Sequence, residues 1–328
     1  MAAIKKLKLS KEQIEAVAYY DARYDVLGQW LMSPGARQFL GDQANRVCRF
    51  CNQSSPNVTF KRDAHVVPQL LGNKTLMSFY ECDDCNDAFG SGIENDLGNW
   101  TKPVRTLARI RGQNGTPVLK REGKNGWRIE FQGGVLKISA KDKSPPFSVD
   151  ETNNRIAFKL PRDPYTPIAV LKAFLRIGIT LMPNDEVQNF LELMRWVKNK
   201  DHSVRLLKSC TIMRTFHPGP LPNDLLCAIL LRRKAAADDC FYMFMILSYA
   251  NEVYQLPIPC PAHDAHLSGK DLTCPPFPSP GSGDTDVYGS PVAQPVDLMG
   301  CTEIRGDIVE FTVHFDRMEP TGNVKQPE

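Results

Sequence analysis

No stretch of this 328-residue chain approaches the roughly 20 consecutive apolar residues that a membrane-spanning helix needs. The longest apolar runs, LLCAILL and CFYMFMIL, have the length of buried strands. The first residues, MAAIKKLKLSKEQIEAV, are basic but lack a following apolar block and a cleavage site. A secretory leader is therefore not expected, and the cytoplasm is the expected compartment. Charge of one sign is also scarce. Forty Lys and Arg against 37 Asp and Glu leave a net +3, too little by itself to argue for nucleic acid. No internal repeat is visible, so a repeat architecture is not expected. With 42% hydrophobic and 23% charged residues, the composition is that of an ordinary globular protein long enough for one large domain or two modest ones.

What is present is uneven. Ten cysteines occur, and four of them form two tight pairs, Cys48-x-x-Cys51 and Cys82-x-x-Cys85. In a reducing compartment such pairs are knuckles that offer four thiolates to one tetrahedral zinc ion, a closed site with a structural role. A redox motif would need only one pair. The other six (Cys210, Cys227, Cys240, Cys260, Cys274 and Cys301) are scattered, as small buried apolar residues are. Cys260, His263, His266 and Cys274 are too irregularly spaced to be favoured as a second metal site. Positive charge is concentrated in residues 102–124, where Lys102, Arg105, Arg109, Arg111, Lys120, Arg121 and Lys124 face a single acid, Glu122. Such a run suits a phosphate backbone, or is a solvated surface with a local excess.

Periodicity predicts a helix from Leu9 to Met32 that Ser10 caps, with Ile14, Val17, Ala18, Val26, Leu27 and Trp30 on its apolar face. A hairpin through Gly133-Gly134 and a strand RIAFKL follow the basic run. Two helices separated by Pro183 come next, the second capped by Asn184 or Asp185. Strands are expected in SVRLLKSCTIMRTF, DLLCAILLRRKA, DCFYMFMILSYA, EVYQLPIP and DIVEFTVHF, with a long irregular loop over residues 257–295. In CFYMFMILSYA, Phe241, Met243, Met245 and Leu247 fall on one face, and similar apolarity on the other suggests a central strand.

Between the cysteine pairs stands DAHVVPQLLGN, and Asn86 directly follows the second pair. Together these residues resemble the HNH endonucleases, whose ββα-metal core is often clamped by four cysteines. The resemblance covers roughly residues 46–100. It implies His65 as the general base that activates a water against the scissile phosphate, and Asn86 as a ligand of one catalytic divalent ion, Mg²⁺ or Mn²⁺. It also implies Asn73 as the residue that steadies the histidine loop. The family's acidic residue directly before the histidine is replaced by Ala64. Asp63 or Glu94 then completes the metal site, and Glu94 is slightly favoured, lying eight residues beyond Asn86, about two turns along the helix and roughly a quarter turn round its axis.

The expected architecture is α+β: an N-terminal helical segment (residues 1–40), a zinc-stapled HNH nuclease (41–125), and an antiparallel sheet with two helices (126–328). The resemblance implies metal-dependent DNA hydrolysis with low sequence specificity, of the stand-alone bacterial or anti-phage-defence type. Lys102, Arg105, Arg109 and Arg111 would hold the DNA backbone, and the C-terminal part would bind a regulatory ligand or protein or mediate homo-oligomer assembly. The alternative is a zinc-stabilised nucleic-acid-binding or assembly module without catalysis, which Ala64 favours.

Overall fold

The computed structural model describes residues 10–124, 126–141, 145–270, 272–279 and 285–319. Helix α1 (Lys11–Arg23) starts at Ser10, whose hydroxyl accepts from the Gln13 amide while the Gln13 side chain accepts from the Ser10 amide. It does not continue to Met32. The chain passes at Tyr24 into strand β1 (Tyr24–Met32), which pairs antiparallel with a strand 200 residues later. The expected apolar stripe fails for the same reason. Ile14 and Val17 are 56% and 43% exposed, while Ala16 and Tyr20 are buried. Pairing of an aromatic-rich segment at a sheet edge has overridden helical periodicity.

Next come β2 (Gln38–Leu40), β3 (Ala64–His65) and β4 (Leu76–Ser78), a small sheet in the order β2-β4-β3. Helices α2 (Asp83–Ser91) and α3 (Ile93–Leu107) follow. The strands β5 (Leu119–Arg121), β6 (Trp127–Gln132) and β7 (Val135–Ala140) make one three-stranded sheet, with the expected hairpin at Gly133-Gly134. A second contains β8 (Phe147–Asp150) and β9 (Arg155–Pro161), and its third strand comes from the C-terminal end of the chain. Trp127, Ile129, Phe158 and Leu160 form the apolar layer between these two sheets.

Helices α4 (Pro167–Leu181) and α5 (Leu191–Lys198) match the two expected. Neither Asn184 nor Asp185 caps α5. A 3₁₀ turn over Val187–Phe190 precedes it, and the Asn184 side chain accepts instead from Arg49. Strands β10 (Thr211–Phe216), β11 (Leu226–Arg233), β12 (Met243–Tyr249) and β13 (Glu252–Pro257) form most of a six-stranded antiparallel sheet, ordered β1-β11-β12-β13-β10 with β14 (Val292–Asp297) as the edge strand beside β10. As expected, β12 is central and almost wholly buried. Strand β10 starts eight residues later than its apolar run suggested, since residues 203–210 are irregular.

The expected loop over residues 257–295 contains short helices α6 (Pro261–Asp264) and α7 (Thr285–Tyr288) and the start of an edge strand, β14 (Val292–Asp297). Its residues 271 and 280–284 lie outside the described residues. The last strand, β15 (Ile308–His314), completes the β15-β9-β8 sheet.

Helix α4 organises the molecule. Every one of its residues is buried, Lys172, Arg176 and Thr180 included, as expected of a helix with neighbours on all sides. Phe174 meets Trp100 of α3 and Tyr254 of β13, with ring centroids 6.0 and 5.0 Å away, and those two rings also meet each other at 5.6 Å. One apolar cluster thus runs from the cysteine region through α3 and α4 into the six-stranded sheet.

Candidate active site

The first cysteine pair sits on a turn in which the Asn52 amide donates to the Cys48 carbonyl (2.8 Å), with Asn52 in the left-handed region at φ 55°. The second lies at the start of α2, with Cys82 at the N-cap and Cys85 in the first turn, where the positive end of the helix favours thiolates. All four Sγ atoms lie within 4.8 Å of one another, and Cys51 and Cys82 are 3.7 Å apart. A tetrahedron with Zn–S bonds near 2.3 Å has S···S edges of about 3.8 Å, so the cluster fits zinc.

The chemistry of the donors agrees. A hydrogen bond from Cys85 pulls the Cys48 thiol down to about 5 against the cost of burial. Burial pushes Cys82 up to about 12, and Cys85 is pushed up by its bond to Cys48 and by burial. Four thiolates at this spacing therefore need a cation among them. Among the described residues no second such group forms. Cys260 contacts the Asn189 carbonyl, His263 stacks on Tyr242, His266 meets the Asp238 carbonyl, and Cys274 faces the Tyr19 hydroxyl.

Asp83 and Asn73 fix the segment between the knuckles. The Asp83 carboxylate accepts from the Thr59 hydroxyl and from the Lys61 and Arg62 amides, both at 3.0 Å. Asn73 is fully buried. Its Nδ2 donates to the carbonyls of Val67 and Leu76 (2.8 Å each), and its Oδ1 accepts from the Thr75 and Leu76 amides. It thereby ties the loop after His65 to β4.

His65 sits on β3 opposite Met77 of β4 and is half-buried. It lines a cleft of about 710 Å³ with Asn86 of α2 and Glu94 of α3. The helix between Asn86 and Glu94 is not continuous. It breaks at Gly92 (φ −109°, ψ −106°), so Glu94 reaches the cleft from the first turn of a second helix. Burial, then the charges of Arg176 and Arg37, hold the His65 imidazole below its ordinary value. Burial likewise pushes the Glu94 carboxyl up, with Arg176 opposing.

Asp63 does not line this cleft; it is exposed and paired with Arg37 at 2.6 Å. Part of the rim is a tight hairpin in which Gly112 and Gly115 exchange backbone hydrogen bonds of 3.1 and 3.3 Å, with Gln113 and Asn114 exposed at its tip.

The basic residues divide. Arg105 is 8% exposed and donates to the Gly98 carbonyl (2.7 Å), the Thr101 hydroxyl (3.0 Å) and the Leu70 carbonyl (3.3 Å), while its outer edge borders the cleft. Lys102 pairs with Asp163 at 2.6 Å at an adjoining part of the same depression. Arg109 and Arg111 are exposed and line a separate cavity of about 340 Å³ with Lys74.

Behind the cleft is a residue that no motif signals. Arg176, at the middle of α4, is fully buried and joined to Glu81 by two parallel contacts of 3.1 and 2.8 Å. Its Nη1 donates to the carbonyls of His65 (2.8 Å) and Val66 (2.9 Å) and lies 3.4 Å from Glu94. Arg49, between the first two cysteines, donates to the Ile179 carbonyl (2.8 Å) at the end of α4. Asp96 of α3 accepts from the Thr166 amide at its start.

Residues 48–101 match the family model of the HNH endonucleases. Comparisons with curated proteins and with solved structures find no match. The matched segment is thus similar to the HNH endonucleases, and its four cysteines cluster as a candidate zinc site.

Proposed function

We propose that the protein is a metal-dependent endonuclease that hydrolyses DNA phosphodiester bonds with little sequence preference, in the cytoplasm. The observation that carries this reading is the convergence of His65, Asn86 and Glu94 on one cleft from three different elements. A base must be neutral to accept a proton, and the environment of His65 favours the neutral imidazole. Its ring would take the proton of a water directed at phosphorus. The Asn86 amide oxygen and the Glu94 carboxylate would hold Mg²⁺ or Mn²⁺. When bound, such an ion neutralises charge on the phosphate and the departing oxygen. Asn73 keeps the histidine loop in place through its four hydrogen bonds. The zinc at Cys48, Cys51, Cys82 and Cys85 is structural.

Arg109 and Arg111 are the residues best exposed to hold flanking phosphates, with Lys102 and Arg105 nearer the cleft. A role in anti-phage defence, with the C-terminal part binding a regulator or assembling copies, is the biological setting we propose.

Nicking of a supercoiled plasmid with Mg²⁺ or Mn²⁺ tests the reading. Wild type should cut, and His65→Ala should not, at unchanged zinc content. Equal cutting by the two would remove His65 from the chemistry. No cutting by either, with DNA still bound, would favour the non-catalytic module to which Ala64 points.

A further inference from the structure

The fold buries a guanidinium at the middle of a helix whose other buried residues are apolar except for Lys172 and Thr180. Buried ion pairs seldom improve on well-packed apolar side chains, because desolvation offsets their attraction. Stability is therefore a poor reason for Arg176. Its contacts supply a better one. Strand β3 has a strand neighbour on one side only, β4. The carbonyls of His65 and Val66 go to Arg176. The same Nη1 lies 3.4 Å from the Glu94 carboxylate, while Glu81 holds the rest of the guanidinium from behind. One rigid planar group thus touches the backbone of one cleft residue and the side chain of another, on elements 29 residues apart.

We infer that Arg176 is a positioning residue: it sets the placement of His65 relative to Glu94, so that α4, far outside the matched segment, completes the nuclease cleft. The inference rests on the nuclease reading above for its effect on rate, but not for its effect on His65 itself. The planar fork fixes direction as well as charge, which an ammonium cannot do. Arg176 touches no substrate and acts through the residues it holds.

The test uses the full-length chain in two variants. In Arg176→Met with Glu81→Met, the ion pair is replaced by apolar groups of similar size, a change such pairs commonly tolerate. In Arg176→Lys the charge opposite Glu81 is kept. Zinc content and thermal midpoint report the fold. With zinc retained, kcat for nicking should fall about 100-fold in the double variant, the order expected for a reacting group displaced by about an ångström. KM should stay the same, and Arg176→Lys should fall between. The second readout needs no divalent ion: carbethoxylation of His65 by diethyl pyrocarbonate, followed by mass spectrometry, should change severalfold in rate in the double variant.

A folded double variant, or a folded Arg176→Lys, with wild-type kcat and wild-type His65 labelling overturns the inference. It would leave Arg176 as structural filler. If wild type does not cut but His65 labelling still shifts, the nuclease reading has failed and the positioning role stands.

Discussion

At the scale of single residues, the site divides into what short spacing reveals and what only folding brings together. The four cysteines, His65, Asn73 and Asn86 stand within 39 residues of one another. Their pattern is legible because a zinc knuckle and a histidine loop are local motifs. Arg176 lies 95 residues from Glu81 and 111 from His65, and an arginine inside an apolar helical run carries no sign of its partner. Glu94 does line the cleft with Asn86, but not by the route the sequence suggested, since the helix expected to present it breaks at Gly92.

Two predictions belong at this scale. Asn73→Ala orphans buried backbone groups on both sides of the loop and should cost at least about 2 kcal/mol in a urea titration. His217, buried at the end of β10 with its Nε2 against the Ser279 hydroxyl at 2.9 Å, is held below the ordinary histidine value by burial. The unfolded chain therefore binds the proton first as pH falls. Its contribution to stability is complete above about pH 6.5 and is lost as pH drops from there towards its folded value. His217→Gln should give a shallower decline of the urea midpoint below pH 6.5.

At the scale of elements, local pattern found most helices and strands, and failed where a distant partner decided. Residues 24–32 have enough helical spacing to extend α1, yet they pair with β11. Strand β14 contains Pro295 and runs through a proline- and glycine-rich region, a composition tolerated at a sheet edge and otherwise read as loop. Helix α4 was legible as a helix; that it is enclosed on all sides was not, because its neighbours come from both halves of the sequence. The tie at its first turn can be tested alone. Asp96→Ala removes a charged acceptor from the Thr166 amide and should destabilise the protein by about 1–2 kcal/mol, seen as a lower urea midpoint.

For the whole molecule, the α+β class could be read from the order of patterns, but the way its parts share a core could not. The cluster that includes Cys48, Trp100, Phe174 and Tyr254 crosses residue 125 without interruption. A fragment ending at residue 125 would expose the surface that α4 covers, and should be aggregated or unfolded by circular dichroism even with zinc supplied. Removing zinc from the full chain with a strong chelator should lower the melting temperature of the entire molecule in one transition. A separate early melting of the cysteine region would show that the shared core does not couple them.

Helix α4 is held at its first turn by Asp96, at its middle by Glu81 and the His65 strand, and at its last turn by Arg49. Such a helix has no shallow way to open. Its amide protons should exchange with solvent only when the molecule unfolds globally, at the same slow rate as those of the second cysteine turn. The back wall of the cleft is then the slowest part of the protein to move. Under the proposed nuclease reading, the motions that admit and release a polynucleotide would fall to the Gly112–Gly115 hairpin on the rim, whose tip is exposed.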